Sequence, residues 1–145
     1  MELRSDRRYP MPAETAAVWA AIGSVDQYRQ WWPWLRQFEA EGLVEGDVWV
    51  CAIQPPLPYS LRFTVRIDHL EVPGTIEVTI DGDVTGTARV ELVPSAEGSE
   101  IHLVASLSPS RRWLQAVSIL ARPLARFGHD WILDTGARQF AERAL

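Results

Sequence analysis

The chain has 145 residues, 47% of them hydrophobic and 23% charged, which is ordinary globular composition and too apolar for a disordered segment. Its formal charge is −5, with no strongly basic tail, and this disfavours nucleic acid or an anionic lipid surface as partner. No apolar run approaches the ~20 residues of a membrane span, and the single cysteine, Cys51, excludes an intramolecular disulfide.

In chain order, Glu2–Tyr9 reads as a weak first strand, broken by Pro10 and Pro12. Its charges stand where a signal peptide would be apolar, so a cytoplasmic location is expected. Pro12 suits the first turn of a helix through residues 13–22, with Gly23 as its stop. Ser24-Val25-Asp26-Gln27 has the form of a capping box and opens a second, short helix that Pro33 ends. The period then changes to two. Phe38–Val44 and Asp47–Ile53 read as strands joined at Glu45-Gly46. Leu61, Phe63, Val65 and Ile67 alternate with Arg62, Thr64, Arg66 and Asp68, as in a half-buried antiparallel strand. Similar alternations run through Ile76–Ile80, Ala88–Leu92 and Ile101–Leu107, separated by Pro73-Gly74, Gly82-Asp83 and Glu97-Gly98. From Ser110 onward the period is helical. The apolar face changes phase at Pro123, which predicts one long helix kinked there. The order is β-α-α-β6-α, an α+β arrangement in which about seven antiparallel strands curl around a long C-terminal helix. With no linker or repeat, residues 1–145 are expected to form one domain.

Several stretches in this order resemble the SRPBCC superfamily of START-like helix-grip proteins, in particular its polyketide cyclase/dehydrase and lipid-transport members. They are Pro12-Ala13-Glu14 with Val18-Trp19; Tyr28 leading to Trp31-Trp32-Pro33-Trp34; Leu57 to Phe63; Gly82-Asp83-Val84-Thr85-Gly86; and Arg122-Pro123 with His129-Asp130-Trp131 and Gly136. The resemblance implies the helix-grip fold with a cavity between sheet and C-terminal helix. It implies no single activity, because the superfamily includes both carriers and cyclases. Two positions depart from the pattern: Gly128 stands where asparagine often precedes the histidine, and Leu133 where methionine is common.

The candidate ligand-binding residues are Trp31, Trp34, Trp49, Tyr59, Phe63, His129, Ile132, Leu133 and Gly136. Each has a structural alternative. Trp31, Trp32 and Trp34 form either a hydrophobic plug at one end of the sheet or an aromatic gate. Tyr59 offers a polar tip on an apolar body, and the proline-rich segment before it could rim an entrance. His129 lies on the apolar side of the last helix, where it is either a satisfied core group or a general acid/base. Arg62, Arg66 and Arg89 face solvent unless a bulge reverses the strand phase. Tyr59, His129 and Asp83 are the catalytic candidates, and none is assigned. His69 and His102 have no metal-like spacing, so neither metal nor cofactor is expected, and all 14 basic residues being arginine excludes a lysine Schiff base. Two functional readings follow. One is a carrier or sensor for a small hydrophobic or aromatic molecule, as monomer or homodimer. The other is a cyclase-, dehydratase- or aromatase-type enzyme. A third, weaker reading makes the tryptophan patch a protein-docking surface.

Overall fold

The structure, a computed structural model, describes residues 2–145. Seven strands form one antiparallel sheet: β1 (Leu3–Met11), β2 (Leu35–Glu39), β3 (Val48–Ile53), β4 (Leu61–Glu71), β5 (Thr75–Gly82), β6 (Val84–Ser95) and β7 (Gly98–Pro109). Their order is β1-β7-β6-β5-β4-β3-β2. β2 through β7 therefore lie beside their chain neighbours, as short turns require, and β1 closes on the last of them. Two small helices, α1 (Thr15–Gly23) and α2 (Tyr28–Trp31), fill the connection from β1 to β2. The chain ends in α3 (Arg112–Leu120) and the long α4 (Arg122–Arg143), which lies along the concave face. This is the helix-grip fold.

Several local expectations change. Pro10 does not break β1; it sits within the strand opposite Glu100, because β1 is an edge strand and the missing N–H costs no ladder bond. The first helix starts at Thr15, after Pro12, and the Ala13 carbonyl instead accepts a bond from Ser99 Oγ at 2.7 Å. Ser24 makes no capping box. Its hydroxyl bonds back to the Ala20 carbonyl, and a single 3-10 turn (Val25–Gln27) precedes α2. β2 is Leu35–Glu39, so 40–44 is loop.

The largest change is at the end of the chain. No kinked single helix forms. The helix breaks at Ala121 (φ −133°, ψ 54°), and Pro123 lies in the first turn of α4. The reason is local: proline lacks an N–H and its ring clashes with the carbonyl four residues earlier, so it is best accommodated where no such bond is due.

The space under α4 divides into a filled half and a hollow half. The filled half holds Met11, Val18, Tyr28, Trp31, Leu35, Trp49, Cys51, Ile67, Leu92 and Phe140 in one cluster. The rings pack edge-on or offset. Trp31 meets Phe140 at 5.6 Å and 81°, and Tyr28 meets Trp49 at 5.7 Å and 79°. Tyr28 is buried and donates its hydroxyl to the Ile22 carbonyl, so no polar atom is stranded.

Candidate functional site

The hollow half is a cavity of about 280 Å³ between the sheet and the first half of α4. It exists because small residues occupy inward positions where large ones would fill the space. On the sheet these are Ala88 and Ala105, directly opposite each other on β6 and β7. On α4 they are Ala125 and Gly128. Ile53, Leu61, Phe63 and Ile80 on the sheet, with Ile132 and Leu133 on α4, complete an apolar wall. The polar groups on the lining come from Tyr59, His129, Ser108 and Ser118.

At one end the cavity is roofed by α3 and the loop before β4. α3 buries Leu114 and Ser118, and both line the space. Pro55 and Tyr59 come from the loop, and the Tyr59 ring meets Trp113 edge-on at 5.7 Å. Gly128 explains how the loop approaches so closely. A Cβ there would lie 2.7 Å from the Tyr59 hydroxyl and 3.0 Å from Leu57 Cδ1. The departure from the family's asparagine is thus the notch into which the tyrosine fits. Burial raises the Tyr59 phenol above its ordinary value, so it is a hydrogen-bond donor at neutral pH.

His129 sits on the side wall. Ser5 Oγ lies 3.2 Å from its Nε2 and 3.5 Å from Nδ1, and Asp130 Oδ1 is 3.4 Å from Nδ1. The ring is one part of a polar strap between β1 and α4. Arg7 Nη2 donates to Asp130 Oδ1 at 2.8 Å, and the Tyr9 hydroxyl donates to Asp134 Oδ1 at 2.8 Å. The spacing makes the strap possible: four residues of helix advance about 6 Å and two residues of strand about 6.8 Å. Asp130 and Asp134 therefore both bond to β1, Asp130 half-buried and Asp134 still exposed at its rim, and Ser5 supplies the orienting group for His129. Burial together with Asp134 holds the Tyr9 phenol protonated.

Burial lowers the His129 pKa, against a smaller raising effect of Asp130. In the unfolded chain the ring titrates near 6.5. Between the folded and unfolded values the unfolded chain binds more protons, so this group's stability contribution is lost as pH falls through that window. Thermal unfolding below about pH 6.5 should therefore fall more steeply in the parent protein than in His129→Gln. His69, whose pKa Glu71 raises, acts in the opposite sense and cancels in this comparison. Identical pH profiles would remove His129 from the account.

The other candidates fall outside the cavity lining. Trp31 and Trp49 belong to the filled half, with Trp49 Nε1 donating to Gly42 O and Asp47 Oδ2. Trp34 Nε1 donates to Gln139 Oε1 at 2.8 Å, and its ring lies against Gly136, whose carbonyl accepts from Trp32 Nε1. Trp31, Trp34, Trp49 and Gly136 thus lie in the packing and outside the cavity lining, and Gly136 leaves room on α4 for the indoles of Trp32 and Trp34. Asp83 is a turn clamp: its carboxylate accepts from the Arg62 amide and from Arg111 Nε. Arg62, Arg66 and Arg89 are exposed, and Arg89 bridges Glu77 and Glu91. Burial pushes the Cys51 thiol up to about 12, which leaves it unreactive. Tyr59, Phe63, His129, Ile132 and Leu133 do line the cavity.

A curled seven-stranded sheet gripping a helix over an apolar chamber defines the class, the helix-grip fold. Residues 4–144 match the sequence profile of the family described as polyketide cyclase/dehydrase and lipid transport, and the chain belongs to that family. No functionally curated protein matches it in sequence. Among solved structures, it is similar to TTHA0849 from Thermus thermophilus (TM-score 0.80, 13% identity, covering 99% of this chain and 97% of that one). It is also similar to the di-domain ARO/CYC StfQ from the steffimycin biosynthetic pathway (0.77, 12%, 99% and 51%). A third is norcoclaurine synthase from Thalictrum flavum in complex with dopamine and hydroxybenzaldehyde (0.59, 14%, 99% and 87%). At these identities the likeness establishes the fold alone.

Proposed function

We propose that this protein is a carrier or sensor that binds a small apolar or aromatic molecule in the cavity under α4. The observation that carries this reading is the lining: about 280 Å³ walled mostly by aliphatic and aromatic side chains, with Tyr59, Ser108, Ser118 and His129 supplying its polar groups. Left dry, such a volume costs up to about 7 kcal/mol at the price measured for engineered cavities, comparable with a whole domain's stability of about 5–15 kcal/mol. Water is a poor filler, because each molecule needs two to four polar partners. An apolar ligand satisfies both conditions. The family description and the aromatic molecules bound by norcoclaurine synthase support the same reading.

A second reading, an enzyme of cyclase or dehydratase type, is favoured by one observation: the His129 imidazole reaches an apolar chamber with Asp130 and Ser5 beside it. In that role the ring would move a proton at the ligand and Asp130 would stabilise its charged form.

The test begins with an environment-sensitive dye, anilinonaphthalene sulfonate. It should bind the native protein with a blue shift and be displaced by an aromatic or fatty competitor. Ala105→Trp, which fills the chamber, should weaken binding at least about ten-fold, the effect of losing ~1.4 kcal/mol. Binding that survives Ala105→Trp would place the dye elsewhere and remove the support. In His129→Gln a carrier keeps its affinity within a few-fold. An enzyme does so too but loses about 10²–10⁴ in turnover.

A further inference from the structure

The two helices over the cavity mouth meet at a corner whose outer surface is unlike the rest of the molecule. α3 turns only Leu114 and Ser118 inward among its fully buried residues. Its outer side and the start of α4 expose Trp113, Ile119, Leu120, Leu124 and Phe127. Ile119 and Leu120 are 74% and 85% exposed, so they stand clear of the protein beside the break at Ala121.

The charge around them is one-sided. Between Glu100 and Asp130 the chain has no carboxylate side chain but four arginines, Arg111, Arg112, Arg122 and Arg126. All 19 acidic residues lie elsewhere in the chain, against the ten remaining arginines (14 less these four), although the fold brings Asp83 back to Arg111. Arg111 is held by Asp83 and Arg126 reaches the Arg4 carbonyl. Arg112 and Arg122 have no side-chain partner among the described residues and are exposed. The net charge of −5 hides this: it averages a basic, apolar corner with a strongly acidic remainder.

We propose that the α3–α4 corner docks on an anionic lipid bilayer, with Ile119 and Leu120 entering the headgroup–acyl boundary and the arginines against the headgroups. Trp, Leu, Ile and Phe beside arginine is the composition of interfacial helices. Anionic leaflets attract such basic segments. The acidic remainder is repelled, which fixes the orientation. A projecting tip of two aliphatic side chains suits a yielding surface; a folded protein partner would need a complementary socket. The docked face is the outer side of the cavity roof, so Trp113, which touches Tyr59, lies between bilayer and chamber. The inference stands whatever the chamber holds.

The experiment is co-sedimentation of the full chain with unilamellar vesicles of phosphatidylcholine alone or mixed with phosphatidylglycerol. Binding is expected on the mixed vesicles, weak or absent on the neutral ones. It should fall as ionic strength rises from about 0.01 M to about 1 M, which shortens the screening length from about 30 to about 3 Å. Ile119→Asp with Leu120→Asp should reduce partitioning at least ten-fold, and Arg112→Glu with Arg122→Glu at least five-fold per residue, by about the attraction of one basic residue. Val72→Asp, at an equally exposed site in the opposite turn, should change nothing. Unchanged melting temperatures exclude misfolding. No binding to mixed vesicles, or binding that the corner variants leave intact, overturns the proposal. So does self-association that the same variants abolish in the absence of vesicle binding, which would assign the corner to a second copy of the chain.

Discussion

Gly86→Ala is expected to destabilise the protein by about 2–6 kcal/mol, combining backbone strain with overpacking. Gly86 has φ +155°, and a Cβ there would lie 1.9 Å from the Ser106 carbonyl oxygen. Both clashing groups are backbone, so no rotamer change relieves the contact. The strand pair would have to part where Gly86 faces Leu107, and Leu107 lines the cavity. Urea unfolding gives the free energy directly. A loss under about 1 kcal/mol, small for such a clash, would mean that β6 can shift without cost. Dye binding should fail together with stability, since the damaged pair is the cavity floor.

Trp31→Ala is expected to cost about 3–5 kcal/mol, a melting-temperature drop on the order of 10 °C. Trp31 is 8% exposed and contacts Tyr28, Trp32 and Phe140. Its effect on the dye distinguishes plug from gate. As part of the filled half, its removal should leave the affinity of the remaining folded protein within a few-fold. A large affinity change without loss of stability would return the tryptophan to the ligand's path.

The fold is legible because period-two alternation and glycine or proline turns are local signals; β4 to β7 each contain the alternating stretch, and β6 and β7 run several residues past it at both ends. Phe63, His129, Ile132 and Leu133 line the cavity for a related reason: they fall on the inward phase of their elements, whereas Tyr59 reaches it from the loop before β4. The tryptophans, by their size, mark the filled half. The hollow half is marked by the opposite signal, small residues at inward positions. Ala88, Ala105, Ala125 and Gly128 were visible in the sequence, but their pairing across strands and helix is a tertiary fact. Ser5 was out of reach for the same reason. The bonds of Asp130 and Asp134 to β1 are equally tertiary, because the helical period is blind to a strand that brings its own polar side chains. The break at Ala121 was missed because the apolar phase change at Pro123 fits both a kink and a fresh start.

The strap between β1 and α4 has a consequence for how the molecule comes into being. Its partners, Ser5 with His129 and Tyr9 with Asp134, are 124 and 125 residues apart in the chain. Closing a loop of that length costs roughly 4 kcal/mol in the length-dependent entropy alone, and contacts of such high order form late. The meander from β3 to β7 can zip up from neighbouring turns, but the chamber has no side wall until the two distant segments meet. Until then its apolar floor faces water, so the interval before closure is when the folding chain is most prone to aggregate.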